Sequence, residues 1–477
     1  MTTGWLERLW DSVADRGRDL LHLPGDQGRK GDLAALCRQL LEGAGEASGT
    51  ALAREVRLGI EALDDAGRTD FLEQLAAEFP PDRDAILAAA EAYRAAPEDI
   101  DSYLRLSKVV ESPRQELLRL INRAPHATAA LVALRAHLLG LLRERPHLRG
   151  VDADFQHLFH SWFNRGFLEL RRIDWDSPAS VLEKLIHYEA VHAIRDWSDL
   201  RRRLADDRRC FGFFHPALPD DPLIFVEVAL VKGLPAAAPP LLDLDAPVLD
   251  PLQADTAAFY SINNCQNGLR GISFGNFLIK QVAAELAVEF PRIAHYATLS
   301  PLPRFRQVLD GLEDENNPLG RDRVEALLAE HADALREASG MDSAVDALLD
   351  LVMRPVAEQP REVLEAPLDR LALAYLARAR RGNSVYDPVA AFHLANGAQL
   401  ERVNAYADLS EERLQASYGV MVNYLYDPNL VERNHEQFIN EGTVAVGKGL
   451  QKELKRVDAA LQTADSQHLG ATGTDRA

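Results

Sequence analysis

Cysteine is scarce. Cys37, Cys210 and Cys265 are the only three in 477 residues, far apart, with no Cys-x-x-Cys pair and no Cys/His spacing of a metal site. That excludes a disulfide framework and a zinc module, and it points to buried or idle thiols in a reducing compartment. Positive charge is also short. Lys and Arg number 53 against 73 Asp and Glu, a formal net charge of -20, and so acidic a chain is repelled by phosphate backbones and anionic lipid. A polyanionic ligand therefore needs a local pocket of donors. No apolar run suits a membrane span or a signal core. Trp5, Leu6, Leu9, Trp10 and Val13 are helically spaced, but Glu7, Asp11 and Asp15 among them spoil a transit-peptide reading. The final Asp475, Arg476 and Ala477 form no peroxisomal address. A cytoplasmic protein with neither nucleic-acid nor membrane partner is the expectation.

What is present is ordinary globular material, 47% hydrophobic and 26% charged, long enough for two or three domains. Up to residue 163, segments such as Asp32 to Leu41, Ala51 to Leu63 and Thr128 to Leu142 carry apolar residues at three- and four-residue spacing between Gly or Pro breaks. This predicts an all-helical domain over 1–163. Strand signals begin later, in Cys210 to Phe214, Leu223 to Val228, Ala257 to Ile262, Ile293 to Leu299 and Val420 to Tyr426. A Pro/Asp-rich stretch from Gly233 to Asp255 reads as a surface loop. Phe274, Leu278, Val282, Leu286 and Phe290 form one apolar helical stripe, and Asp322 to Arg381 returns to helical periodicity as an insertion. The fold class is α+β: a helical domain, then a mixed-sheet domain over 164–464, then a tail over 465–477 read as disordered.

Several residues are placed to do chemistry. The loop from Gln266 to Gly275 runs from a strand into a helix, where glycines admit close backbone approach and unpaired first-turn amides face an anion; a Gly-rich turn without ligand is the plain alternative. Within it, Gly271-Ile272-Ser273-Phe274-Gly275 matches the G-x-S-x-G elbow of serine hydrolases. However, a polar run separates Ser273 from the strand, and no HGGG-type segment precedes it. Ser300 ends a strand and precedes Pro301, which biases it to extended geometry at a sheet edge, although a serine that merely starts a turn is the commoner case. His393 sits in the last turn of a helix punctuated by Asp387-Pro388 and Asn396-Gly397. There the negative end of the helix dipole favours imidazolium and proton exchange near neutrality, unless the ring simply packs. Tyr424 and Tyr426 alternate on a strand, so both rings face one side, as core or interface aromatics if not as site residues. His187, His192 and His215 lack ligand spacing, and no metal site is read.

At these residues the sequence resembles the malonyl-CoA decarboxylase family. The resemblance runs through Trp162-Phe163, Gly166-Phe167-Leu168, Trp175, Ser177-Pro178, Glu189-Ala190-Val191-His192, Arg209-Cys210, Phe259-Tyr260-Ser261-Ile262, Phe277-Leu278-Ile279-Lys280 and Glu289-Phe290-Pro291. It continues through Leu299-Ser300-Pro301-Leu302-Pro303, Phe392-His393-Leu394, Asn396-Gly397-Ala398 and Asn423-Tyr424. It is nearly continuous from about residue 160 to 430. It implies a catalytic domain like the CoA-dependent N-acetyltransferases, acting on malonyl-CoA to release acetyl-CoA and carbon dioxide with no metal or organic cofactor. It also implies a CoA pyrophosphate grip by Arg270, Gly271, Ile272, Ser273, Phe274, Gly275 and Asn276, and a catalytic trio of Ser300, His393 and Tyr426. Some relatives carry a glutamate where this chain has Ser273. The expected mechanism has a backbone amide at the end of Phe259 to Ile262 polarise the thioester while Ser300, bonded to His393, relays a proton. An acyltransferase on the same fold and a non-catalytic acyl-CoA sensor are the rivals. The helical domain is expected to build a symmetric homo-oligomer.

Overall fold

The computed structural model describes residues 33–473 except 44, 273–277 and 383. It divides into two compact units, one comprising Met1–Arg171, Phe213–Ile224 and Asn264–Gly275, the other Arg172–Gly212, Phe225–Asn263 and Asn276–Ala477.

The first unit is built from helices, among them Leu33–Leu41, Glu46–Glu61, Asp65–Glu78, Ala127–Leu141 and Arg149–Trp162. Several start on aspartate N-caps: Asp64 accepts from the Gly67 amide and Asp82 from that of Ala85, each satisfying a first-turn donor that the helix leaves unpaired. Leu52, Leu72, Leu117, Leu131, Leu138, Phe155 and Phe159 are buried in the core. Two arginines are buried with them, and both are paired. Arg114 Nε donates to Asp154 at 2.7 Å and Arg135 Nε to Asp152 at 2.8 Å, as burial of a guanidinium requires. The Arg135 Nη1 also donates to the carbonyls of Gly268 at 2.6 Å and Arg270 at 3.0 Å. Gly268 fits there because it lacks a side chain: a Cβ would stand 1.9 Å from the Val132 carbonyl oxygen.

Most of the sheet belongs to the second unit. The sheet's strands are β1 (Glu169–Ile173), β2 (Arg208–Phe214), β3 (Ile224–Val231), β4 (Thr256–Asn264), β5 (His295–Thr298), β6 (Ser300–Pro301), β9 (Gln399–Asn404) and β10 (Met421–Leu425), while β7 (Arg380–Arg381) and β8 (Ser384–Val385) form a separate pair. The order is β1-β2-β3-β4-β5-β10-β6, with β9 also on β10. β4 and β5 are parallel, whereas β10 runs antiparallel to β5, β6 and β9, so the sheet is mixed and the fold α+β. β2 and β3 are buried almost throughout, which explains why they read as unbroken apolar runs rather than alternating ones. The β4–β5 register ends at Phe259↔Thr298, although β4 continues to Asn264.

The insertion forms four helices, Arg321–Leu328, Ala332–Ser339, Ala344–Met353 and Arg361–Arg378, with Leu327, Leu335, Leu348, Leu351, Leu364 and Leu371 buried. The last helix, Gln451–Gly473, is tied to it by Arg378–Asp458 and Arg370–Glu453 pairs, and it runs past residue 464 into the stretch read from the sequence as tail. Among the described residues no helix is long and apolar enough to cross a membrane.

Candidate active site

Ser300 and His393 are 93 positions apart, yet Ser300 Oγ and His393 Nε2 lie 3.0 Å apart, both side chains buried. Pro301 holds the serine extended, and the Ser300–Pro301 segment pairs with β10 at Val422 and Met421. His393 rides on the Pro388–Ala395 helix. Asp387 caps it, accepting from the amides of Val389 and Ala390 at 2.9 Å, and also takes the Tyr375 hydroxyl at 2.9 Å. Gly397, at φ +84°, stops the helix, and a Cβ there would lie 2.0 Å from the Val431 carbonyl oxygen. Only glycine meets both demands.

The other imidazole nitrogen, Nδ1, is 2.8 Å from the Tyr426 hydroxyl, and the Tyr424 ring stacks on the imidazole at 4.5 Å and 25°. Both tyrosines thus meet one ring, as strand alternation predicts. Beneath them Asn423 is fully buried. It donates to the carbonyls of Thr298 and Pro235 and accepts from Arg402 and Asn404, at the place where the β9–β10 register shifts. The Asn423 amide is thus bonded through both its oxygen and its nitrogen, which fixes it beneath the site, whereas the buried Tyr424 hydroxyl has no hydrogen-bond partner among the described residues.

One expectation is overturned. The helix-end position of His393 suggests an imidazolium exchanging protons near neutrality, but burial drives its pKa down to about 3. Desolvation outweighs the partial charge of a helix terminus. The ring is neutral, and burial likewise pushes the Tyr426 phenol well above its ordinary value. A neutral imidazole between a serine and a phenol can pass a proton along but holds no spare one.

Of the loop residues, Arg270 and Gly271 are exposed and Ile272 is buried. Gly271 has φ +82°, and a Cβ there would meet nothing within 4 Å. Ser273, Phe274, Gly275 and Asn276 lie outside the described residues, and with them the central serine and the last two positions of the hydrolase-like elbow.

Sequence reading missed three residues. Arg135, which holds the loop carbonyls, looks like any helix-surface arginine until its burial is seen. Thr298, whose Oγ1 hydrogen-bonds with Ser300 Oγ at 2.9 Å and accepts from the Tyr424 amide at 3.3 Å, reads as an ordinary strand residue. Glu189 accepts from Ser261, Asn263 and the amides of Val191 and His192, clamping its segment to the end of β4. The polar alternation of Ser261 and Asn263 on a buried strand is the signal that was available. Among the described residues, no group of three or more His, Cys, Asp or Glu is arranged to hold a metal ion.

A family model described as the malonyl-CoA decarboxylase C-terminal domain matches residues 166–464. The chain belongs to the malonyl-CoA decarboxylase family. A second model, the malonyl-CoA decarboxylase N-terminal domain, matches residues 79–163. The mitochondrial malonyl-CoA decarboxylase of the goose Anser anser anser is 36% identical over 327 residues, 66% of this chain and 64% of that protein. The rat enzyme is 35% identical over 320 residues, 64% of each. The match therefore spans 64% of these relatives' own length. Among solved structures, the malonyl-CoA decarboxylase of Rhodopseudomonas palustris is 46% identical with a TM-score of 0.78, covering 88% of this chain and 98% of that one. That of Agrobacterium vitis is 42% identical with a TM-score of 0.74, covering 90% and 99%. The family is one of decarboxylases, which are lyases.

Proposed function

We propose that this member of the malonyl-CoA decarboxylase family converts malonyl-CoA to acetyl-CoA and carbon dioxide, with Ser300, His393 and Tyr426 supplying the proton. The observation that carries the reading is the buried, continuously bonded Ser300–His393–Tyr426 chain in a member of this family. Loss of carbon dioxide from a malonyl thioester leaves an enolate, for which the thioester is its own electron sink. The protein's work is to hold the carboxylate perpendicular to the thioester plane, stabilise the enolate oxygen and protonate carbon. A dry site assists, because it strengthens the hydrogen bonds to the developing charge. The amides at the end of Phe259 to Ile262 serve the thioester oxygen, and the loop Arg270 to Asn276 takes the CoA pyrophosphate on an acetyltransferase-like fold.

A homo-oligomer and a cytoplasmic location complete the proposal, although the goose and rat relatives are named mitochondrial. Purified protein incubated with malonyl-CoA and no acyl acceptor should form acetyl-CoA and carbon dioxide in equal amounts. Unchanged malonyl-CoA, or turnover only when an amine acceptor is added, would refute the reading.

A further inference from the structure

Between the two residues that grip the His393 ring, the sheet loses a rung. β10 stands opposite β5 at Leu425↔Ala297 and opposite β6 at Val422↔Ser300. That shared register sets Tyr424 against Thr298, yet this pair is missing from the ladder. The Tyr424 amide turns instead to Thr298 Oγ1 at 3.3 Å, and the Thr298 carbonyl takes the Asn423 side chain, Nδ2 donating at 2.9 Å. Asn423 Nδ2 also donates to the Pro235 carbonyl at 3.1 Å, while its Oδ1 accepts from Arg402 Nε at 3.1 Å and from Asn404 Nδ2 at 3.0 Å. Carbonyls only accept and a guanidinium only donates, so these neighbours fix which way the carboxamide points. On its other edge β10 meets β9 with a register shift at the same place, between Asn423 and Tyr424. Asn423 and Thr298 are both fully buried.

We propose that Asn423 is a positioning residue for the Ser300–His393–Tyr426 chain, its carboxamide taking the place of a main-chain bond and so holding β10 off the β5–β6 edge where the imidazole must fit. The inference rests on the Ser300/His393 reading above and deepens it. Ser300 lies on one side of the missing rung, paired with Val422. Tyr426 lies on the other, its amide bonded to the Tyr296 carbonyl at 2.8 Å. His393 spans the two, 3.0 Å from Ser300 Oγ and 2.8 Å from the Tyr426 hydroxyl, with the Tyr424 ring stacked on it. A ring bonded at both ends has no slack, because hydrogen bonds weaken steeply once their angles leave the linear range. Without the carboxamide the buried Thr298 carbonyl loses this donor, which is costly, and the register puts the Tyr424 amide opposite it. Closing that bond would restore ordinary strand pairing and carry Tyr424 and Tyr426 out of line with the imidazole. None of the four bonds of Asn423 goes to Ser300, His393 or Tyr426, so it acts on them through the strands.

A double-mutant cycle on the full chain separates positioning from plain stability. Asn423→Asp keeps the shape and the acceptor that Arg402 and Asn404 use, and removes the donor to Thr298 and Pro235. Turnover of malonyl-CoA should fall roughly 10- to 100-fold, a share of the about 10²–10⁴-fold that positioned proton transfer supplies, while the affinity for plain CoA, read by calorimetry, stays as in the parent. In the Ser300→Ala background the same substitution should cost less than about twofold, because no serine is left to align. Arg402→Gln, at a half-buried strand position, loosens the same carboxamide from its oxygen side and should give a smaller loss with the same dependence on Ser300. Equal losses in the two backgrounds, from whichever variant folds, would reduce Asn423 to a stabilising residue and overturn the proposal. Parental turnover in a folded Asn423→Asp protein would overturn it too. Full activity in Ser300→Ala is a different failure: it would remove the functional reading itself, and the proposal with it.

Discussion

Ser300 and His393 lie between two kinds of neighbour, hydroxyls that bond them and aromatic or apolar surface that dries them. Removing the serine hydroxyl leaves the ring and its stacking on Tyr424 in place, so Ser300→Ala should cost about 2–4 kcal/mol of transition-state stabilisation, seen in turnover more than in the substrate constant. Ser273→Ala should cost far less; equal losses from both would contradict the assignment. Drying also has a signature in stability. The folded protein holds His393 neutral down to about 3, while the unfolded chain protonates it below about 6.5. The unfolded state therefore binds the extra proton, and stability falls as pH drops from about 6.5 toward 3, by up to about 1.4 kcal/mol per pH unit. His393→Gln should flatten that slope by about this amount in urea unfolding between pH 6 and 5. Parallel slopes in parent and variant would mean the folded ring takes up a proton after all. His192, buried and lowered to about 4 despite Asp408 beside it, contributes in the same direction and serves as a second case.

Among the elements, the loop at 264–272 and the Ala127–Leu141 helix are bound by Arg135 and by the absence of a side chain at Gly268. Gly268→Ala should destabilise the protein by roughly 1–3 kcal/mol, the range for overpacking a filled site. Gly271→Ala meets open space but a positive φ, so roughly 1–2 kcal/mol is expected from backbone conformation alone. Thermal unfolding of the two variants checks the contrast between contact and conformation. Gly271→Val should additionally weaken malonyl-CoA and plain CoA alike, raising the substrate constant with turnover comparatively preserved, because the proposed phosphate contact is remote from the reacting carbon. A folded Gly271→Val protein, checked by circular dichroism, that binds CoA as tightly as the parent would place the phosphates elsewhere.

At the scale of the whole molecule, the Arg83–Ala95 and Ile100–Val110 helices expose Leu87, Ile100, Tyr103, Leu104 and Val110, each at about half or more of its surface. A cluster of large apolar side chains on a helical unit is what a subunit contact needs, and a symmetric homo-oligomer is expected. Light scattering at micromolar concentration should give a multiple of the 52.8 kDa chain, and Leu104→Glu should lower it; a strict monomer would rule the oligomer out.

Local signals within a dozen residues were enough for much of this protein. Asp387-Pro388 and Asn396-Gly397 bracket the His393 helix in the sequence as they do in the structure, because capping and a left-handed stop are properties of the nearby backbone. The apolar runs of β2 to β5 and the helical insertion were legible for the same reason. β1, with two arginines in five residues, and β9, with Glu401 and Arg402, carry no such pattern and are strands because a neighbouring strand supplies their hydrogen bonds. The meeting of Ser300 with His393, the burial of Arg135 and the contact of Ser300 with Thr298 are likewise absent from any window of sequence. The protonation of His393 shows the difference most plainly. Its local cue, the helix end, favours charge, whereas packing takes the ring out of water, and the cost of desolvating an ion exceeds what a helix terminus returns.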